Sequence, residues 1–354
     1  MDIERIVALI EPVDNVCQDE ARKRQDQLTK PQGSLGRLED LSIQLAGIYR
    51  NCMPTISKKV IFTMAADHGV AIEGVSAYPS EVTAQMVLNF ASGGAAINVI
   101  ARHVGAEVRI VDMGVASSIS WPPCVLNKKV GPGTRNMAKE RAMSRDEAKL
   151  AIIRGAELAL QAVEEGANLI GIGDMGIGNT TSASAITAVV TGKDLKEVVG
   201  RGTGIDDDHF ENKIRIISRA IQLHHPDPED PIDILECVGG FEIAGMAGVI
   251  LGAASKKVPV VLDGFISGSA ALIANGLSPM SRAYMIASHK SVENGHDAIL
   301  RHLGLRPLLD FNMRLGEGTG AALAMPIIEA SCKILTEMAT FESAGVSKKE
   351  GDGR

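Results

Sequence analysis

Six short apolar runs, most of them closed by Gly or Asp ahead of a longer segment at helical spacing, limit the folds open to this chain more than any other feature. The runs are Val60–Met64, Val108–Asp112, Leu169–Gly173, Val258–Leu262, Ala283–Ala287 and Pro307–Phe311. Apolar runs of this length bounded by turn residues read as buried strands. Their alternation with helical segments predicts parallel strands joined by right-handed crossovers. Aromatic residues are only 3% of the chain, and the abundant Gly, Ala and aliphatic side chains suit helices packed closely on a parallel sheet better than a β-sandwich. The expected fold class is α/β, with a six-stranded, mainly parallel sheet flanked by helices.

Helix signals fill the intervals. Ser144-Arg145-Asp146-Glu147 has the form of a capping box opening a helix that runs to about Glu165. Glu81 to His103 and Asp207 to His224 also read as helices, and the first fifty residues show two more, about Val16–Leu28 and Leu35–Arg50. The stretch from Ala321 to Ala344 is helical in pattern, with Pro326 expected to kink it. The expected organisation is a small helical domain built from residues 1–55 and 321–346, an α/β domain over 56–320, and a disordered tail over 347–354.

The net charge is −7 with basic residues scattered, which argues against a nucleic-acid partner. Cys17, Cys52, Cys124, Cys237 and Cys332 are odd in number and far apart in sequence, favouring a reducing compartment over a disulfide framework or a zinc site. The N-terminus is acidic where a signal peptide is basic. The uncharged apolar run Ile243 to Ala254 falls short of the ~20 residues that cross a bilayer. A cytoplasmic protein with no membrane partner is expected.

Ligands of open α/β sheets bind beyond the carboxyl ends of the strands, so the loops there carry the candidates. Gly171-Ile172-Gly173-Asp174-Met175-Gly176-Ile177-Gly178-Asn179-Thr180-Thr181-Ser182 lies between a strand and an Ala-rich helix. Glycine N–H groups, a helix N-terminus and hydroxyls together suit a phosphate, although an ordinary strand-to-helix turn accounts for the same residues. The stretch is neither a dinucleotide fingerprint nor a P-loop. Arg201-Gly202-Thr203-Gly204 precedes Asp206-Asp207-Asp208 and Lys213. The acidic run reads better as a helix cap than as a metal site, while Lys213 is a candidate phosphate ligand. Asp67-His68 offers acid/base chemistry but also fits a structural turn, and His224-His225 looks like a helix end. In Arg314-Leu315-Gly316-Glu317-Gly318-Thr319-Gly320, one carboxylate sits among three glycines. A following helix lowers the pKa of Glu317 and burial raises it, and spacing cannot choose between them.

Together, Lys30-Pro31-Gln32-Gly33-Ser34-Leu35-Gly36-Arg37-Leu38-Glu39, Ala66-Asp67-His68-Gly69-Val70, Gly178-Asn179-Thr180-Thr181, Val238-Gly239-Gly240-Phe241, Leu262-Asp263-Gly264-Phe265 and Arg314-Leu315-Gly316-Glu317-Gly318 resemble the nicotinate-nucleotide:dimethylbenzimidazole phosphoribosyltransferases of cobamide assembly, in matching order along nearly the whole chain. The resemblance implies transfer of the 5-phosphoribosyl group of nicotinate mononucleotide to an aromatic acceptor, with inversion at C1′, on a six-stranded parallel sheet with a small helical domain, usually in a dimer. It implies Glu317 as the base that takes the acceptor's proton. It also implies Gly176, Asn179, Thr180, Thr181, Gly202, Lys213, Gly264 and Ser291 as phosphoribosyl contacts. The pyridinium leaving group is already cationic and no pyrophosphate departs, so neither a general acid, a metal nor a cofactor is expected.

The chain departs from the family pattern around the acceptor, where Tyr78, Met86 and Met175 replace a Ser, a Gln and a Leu, and where Asp174 replaces a Glu. Met cannot hydrogen-bond a ring nitrogen as Gln does. A pocket of Tyr78, Pro79, Met86, Met175 and Leu315 is expected to favour a smaller, less polar aromatic such as phenol or p-cresol, in a homodimer or paired with a paralogous chain, and Asp174 is a candidate assisting carboxylate. Two rival readings stay open: a nucleotide- or NAD-dependent α/β enzyme, and a non-catalytic nucleotide-binding subunit.

Overall fold

The computed structural model of the chain describes residues 2–202, 204 and 206–347. The tail expected to be disordered from 348 on, and Thr203 of the Arg201–Gly204 motif, lie outside the described residues. The sheet has six parallel strands: β1 (Lys59–Ala66), β2 (Glu107–Gly114), β3 (Val125–Asn127), β4 (Leu169–Met175), β5 (Val260–Leu262) and β6 (Met285–Ala287), in the order β3-β2-β1-β4-β5-β6. The chain builds outward from β1 in one direction and then, from β4, in the other. The strand order therefore reverses between β1 and β4, which places a ligand crevice at their carboxyl ends.

Alternation along the strands divides the core. Val60, Phe62 and Met64 of β1 with Ile170 and Ile172 of β4 face one apolar cluster, while Ile61 and Ala65 with Leu169 face the other. Both faces of the sheet are thus buried, as helix-covered parallel strands require. On the first face the helices Arg145–Glu164 and Phe241–Ser255 touch backbone to backbone, since a Cβ on Gly155 would sit 1.9 Å from the Gly245 oxygen. The apolar run Ile243 to Ala254 is this buried core helix.

Three expectations change. Pro307–Phe311 forms no strand, and Leu309 makes a single parallel bridge to His289. The sixth strand is instead Val125–Asn127, three residues long, paired on β2 after Trp121-Pro122-Pro123. Glu81 to His103 is two helices, Glu81–Ala91 and Ala96–Val104, broken at Gly93, whose φ is +76°. The stretch Glu81–Val104 is long and apolar enough for a membrane span by composition, yet its two helices of 11 and 9 residues are each shorter than the ~20 needed.

The chain ends meet. Arg24 Nε donates to the carbonyl of Leu335 at 2.6 Å, and Thr29 N donates to Ala339 O at 3.0 Å. The stretch expected to be one helix from Ala321 to Ala344 is two, Thr319–Glu337 with Pro326 inside it and the short Phe341–Ala344. The Lys30–Glu39 motif is held by a buried ion pair between its own end residues at 2.7 Å. Cys17 and Cys52, distant in sequence, approach to 3.6 Å between sulfurs as free thiols.

Candidate active site

Glu317 lies in a left-handed turn. Gly316, Glu317 and Gly318 have φ of +86°, +65° and +94°, a run that glycine adopts freely and glutamate does not. The surroundings hold the turn at each backbone atom. Glu317 N donates to Asp174 O at 3.1 Å, Thr63 Oγ1 donates to Glu317 O at 2.8 Å, and Gly318 N donates to Asp263 Oδ2 at 3.1 Å. Backbone strain of this kind persists where neighbours over-determine it, and it marks functional positions.

The Glu317 carboxylate is only 5% exposed. Its Oε2 accepts from Ile97 N, in the first turn of the Ala96–Val104 helix, at 3.2 Å. Burial raises the pKa of Glu317, that N–H opposes the rise, and the negative charge of Asp263 adds to it. The two directions left open by spacing resolve in favour of the stronger base. Asp174 is buried nearby and also has its pKa pushed up, first by burial and then by Asp263 and Glu242, while the amide of Asn179 opposes through a 2.8 Å bond.

A cleft of about 360 Å³ opens beyond the carboxyl ends of the strands. Asp174 and Met175, which end β4, and Gly176 after them lie along its wall, with Asn179 and Thr180 at the start of the Asn179–Thr191 helix. Gly202, Ser291, Leu315, Gly316 and the half-exposed Tyr78 also line it. The remaining expected residues stand around it. Lys213 is fully buried behind Thr180, donating to Thr180 Oγ1 at 2.7 Å and to Gly200 O at 3.3 Å. A Cβ on Gly202 would come within 2.9 Å of Thr180 Oγ1 and 3.4 Å of Lys213 Nζ, so these three residues form one group. Burial lowers the pKa of Lys213 to about 8, with Glu293 opposing. Gly264 lies against the His289 ring, where a Cβ would be 3.3 Å from Nε2.

Six expected residues do not line the cleft: Lys213 and Gly264, placed above, and four more. Thr181 is wholly buried, Pro79 is exposed beside Tyr78, Met86 packs against the apolar cluster of the second face, and Glu317 is the neighbour in sequence of Gly316, which does line the cleft. Sequence reasoning missed Ile177, Phe265, Ile266, His289, Glu293 and Arg314, which do line the cleft. Inspection of the loop after β6 would have flagged His289, because it follows that strand's carboxyl end as Asp174 and Met175 close β4.

The other candidates are structural. His68 is buried between Glu242 (Nε2 to Oε1, 2.6 Å) and Ser182 (Nδ1 to Oγ, 3.1 Å). Asp206 caps the Asp207–His224 helix through His209 N at 2.9 Å, and His224 contacts the Met137 carbonyl.

A doubly wound parallel sheet, with a glycine-lined turn, a buried lysine and a buried base around one cleft, is the architecture of an α/β enzyme handling a small anionic substrate. The family described as Phosphoribosyltransferase matches residues 10–346. The chain is 56% identical over 347 residues to the nicotinate-nucleotide–dimethylbenzimidazole phosphoribosyltransferase of Roseiflexus sp. (strain RS-1), covering 98% of each. It is 53% identical over 345 residues to the enzyme of that name from Geobacter sp. (strain M21), covering 98% of this chain and 99% of that one. The crystal structure of the Thermus thermophilus protein of the same name superposes with a TM-score of 0.90 at 45% identity, over 95% of this chain and all of that one. The chain belongs to the nicotinate-nucleotide–dimethylbenzimidazole phosphoribosyltransferase family, and it is a phosphoribosyltransferase.

Proposed function

We propose that the enzyme transfers the 5-phosphoribosyl group of nicotinate mononucleotide to an aromatic base, giving an α-riboside phosphate and nicotinate for cobamide assembly. The acceptor's nucleophilic atom, a ring nitrogen of a benzimidazole or the hydroxyl oxygen of a phenol, bonds to C1′ as the C1′–N bond to the pyridinium breaks. The electron pair of that bond stays with the nicotinate nitrogen, and the acceptor's proton passes to the Glu317 carboxylate. The observation that carries this reading is the buried, backbone-clamped Glu317, with its pKa raised, beside a cleft walled by Thr180 and Gly202 with Lys213 behind them. Lys213, Thr180, Gly202 and the Gly176 turn bind the phosphate, Asn179, Gly264 and Ser291 hold the ribose, and Thr181 supports the turn from below. Positioning of the two reactants supplies much of the rate. Asp174, with its proton held by burial, assists at the same end of the cleft.

The acceptor wall supports a phenolic as well as a benzimidazole substrate. Tyr78, Met175 and Leu315 line it, and the nearby amide of Asn179 already donates to Asp174. That bond engages one N–H of the amide, and the three acceptor-wall residues themselves offer a ring nitrogen one hydroxyl and no amide. The free thiols are consistent with a reducing, cytoplasmic setting, and the family resemblance supports a dimer with itself or a paralogue. Incubating the enzyme with nicotinate mononucleotide and a panel of dimethylbenzimidazole, adenine, phenol and p-cresol, then resolving products by mass spectrometry, tests the reading. Release of nicotinate with formation of a riboside phosphate is the expected result. No riboside with any acceptor would remove the reaction, and benzimidazole products with none from excess phenol would remove the phenolic branch.

A further inference from the structure

We propose that Asp263 is a positioning residue for Glu317, its carboxylate capping the Thr319–Glu337 helix in place of the side chain that Gly318 lacks and so fixing the turn that presents the base. This rests on the reading of Glu317 as proton acceptor. Asp263 follows β5 directly and is 1% exposed. It receives three N–H groups: Gly318 on Oδ2 at 3.1 Å, and Gly320 and Ala321 on Oδ1 at 2.6 and 3.2 Å. The first turn of a helix leaves N–H groups unsatisfied, and the usual remedy is a Ser, Thr, Asp or Asn at the cap. Here the cap is Gly318 with φ +94° and no side chain. A local cap would have tied the helix only to itself. A carboxylate from the end of β5 ties the turn to the sheet, one residue beyond the base.

Burial raises the pKa of Asp263 itself, while His289 and the three N–H groups favour its charged form, and in that form it disfavours ionisation of Glu317. The groups facing this centre are His289 from the segment after β6, 3.8 Å from Asp263 Oδ1, and Asp174 at the end of β4, which is itself influenced by Glu242 on the Phe241–Ser255 helix. The test compares Asp263→Asn and Asp263→Ser with wild type and Glu317→Gln, using nicotinate mononucleotide and dimethylbenzimidazole and reading kcat, KM and the pH profile. Both neutral variants are expected to lose about 10- to 100-fold in kcat while KM for nicotinate mononucleotide moves less than about threefold. The acidic limb of the profile should shift to lower pH, because Glu317 ionises more readily without the neighbouring charge. A cap serving stability alone would lower the melting temperature but leave kcat and the acidic limb at wild-type values, and that result overturns the proposal. If Asp263→Asn does not fold, Asp263→Ser, a smaller and uncharged side chain at the same position, decides between the two outcomes. Normal turnover by Glu317→Gln would instead remove the base itself and the proposal with it. An inert Glu317→Gln beside Asp263 variants that behave as wild type would remove only the positioning role.

Discussion

Gly173 of β4 meets the backbone of Gly318 so closely that a Cβ at position 173 would lie 2.0 Å from the Gly318 nitrogen and 2.2 Å from the Glu317 carbonyl carbon. The strand thus approaches the catalytic turn without any intervening side chain. Neither partner is a flexible side-chain end that could move aside. Gly173→Ala is expected to push the turn off the sheet, lowering stability by about 1–3 kcal/mol as overpacking does. Turnover should fall about a hundredfold if Glu317 moves by an ångström. Denaturant unfolding alongside steady-state kinetics checks both; an alanine variant with wild-type kcat would show that the turn is not held by this contact.

Glu317→Gln keeps the shape of the base and removes its proton affinity. Turnover should fall by about 10²–10⁴-fold, with nicotinate mononucleotide still bound in calorimetry. Stability should move the other way. The pKa of Glu317 is raised on folding, so the folded state binds the proton more tightly than the unfolded chain, and the resulting stability is present below the unfolded pKa and lost as pH rises through the folded one. At neutral pH the wild type holds a buried charge that Gln lacks. The variant should therefore melt higher than wild type at pH 7, with the difference fading in acid; equal melting across that range would contradict the burial argument.

How much of this was legible beforehand follows from the range of each interaction. Glu317 stood out in the sequence because local glycines frame it, and the Gly176 turn and Lys213 stood out for the same local reasons. The direction of the Glu317 pKa shift did not, since it depends on Ile97 and Asp263, which only the fold brings near. Asp263 was visible as part of a motif but not as a cap, because the helix it caps begins far along the chain. Gly173 read as the end of a strand, although its absent side chain serves a contact across layers. Val125–Asn127 is too short to show a period of two, and Pro307, lacking an N–H, opens an apolar run that makes one bridge and no ladder. Met86 was placed in the acceptor pocket by resemblance alone; in the fold it is partly buried and packs against the apolar cluster of the second face, as does Met175.

If Lys213 holds the substrate phosphate as proposed, it should give the site a pH dependence on the alkaline side. Its pKa is lowered by burial from 10.5 to about 8, so between those values the unfolded chain binds more protons and stability rises with pH. Below pH 8 the buried ammonium opposes folding by about 3 kcal/mol, the equivalent of that shift. A bound phosphate reverses the preference and favours the charged amine. KM for nicotinate mononucleotide should therefore climb above about pH 8, and Lys213→Met should raise KM by roughly 10- to 100-fold, the worth of a charge-assisted hydrogen bond. The same variant should be more stable than wild type at pH 7 in thermal unfolding. A flat KM through pH 9 in wild type would remove Lys213 from phosphate binding.

Tyr78 is the most direct handle on acceptor choice. It lines the cleft with Met175 and Leu315 while 55% exposed, so its ring can be cut away without leaving a buried cavity. Tyr78→Ser widens the wall and supplies a small hydroxyl that both donates and accepts. A bicyclic benzimidazole gains room and a partner from that change, whereas a phenol loses an aromatic contact. Contacts of that size in a binding pocket discriminate by about 1–3 kcal/mol. In a competition between equimolar dimethylbenzimidazole and phenol, the ratio of their kcat/KM values should move toward the benzimidazole by about 10-fold or more in the variant. Stability should stay close to wild type, because the residue removed is largely solvated. An unchanged ratio would mean that selection is made deeper in the cleft, at Met175, and a ratio moving toward phenol would mean that the Tyr78 ring stacks on the larger base rather than crowding it.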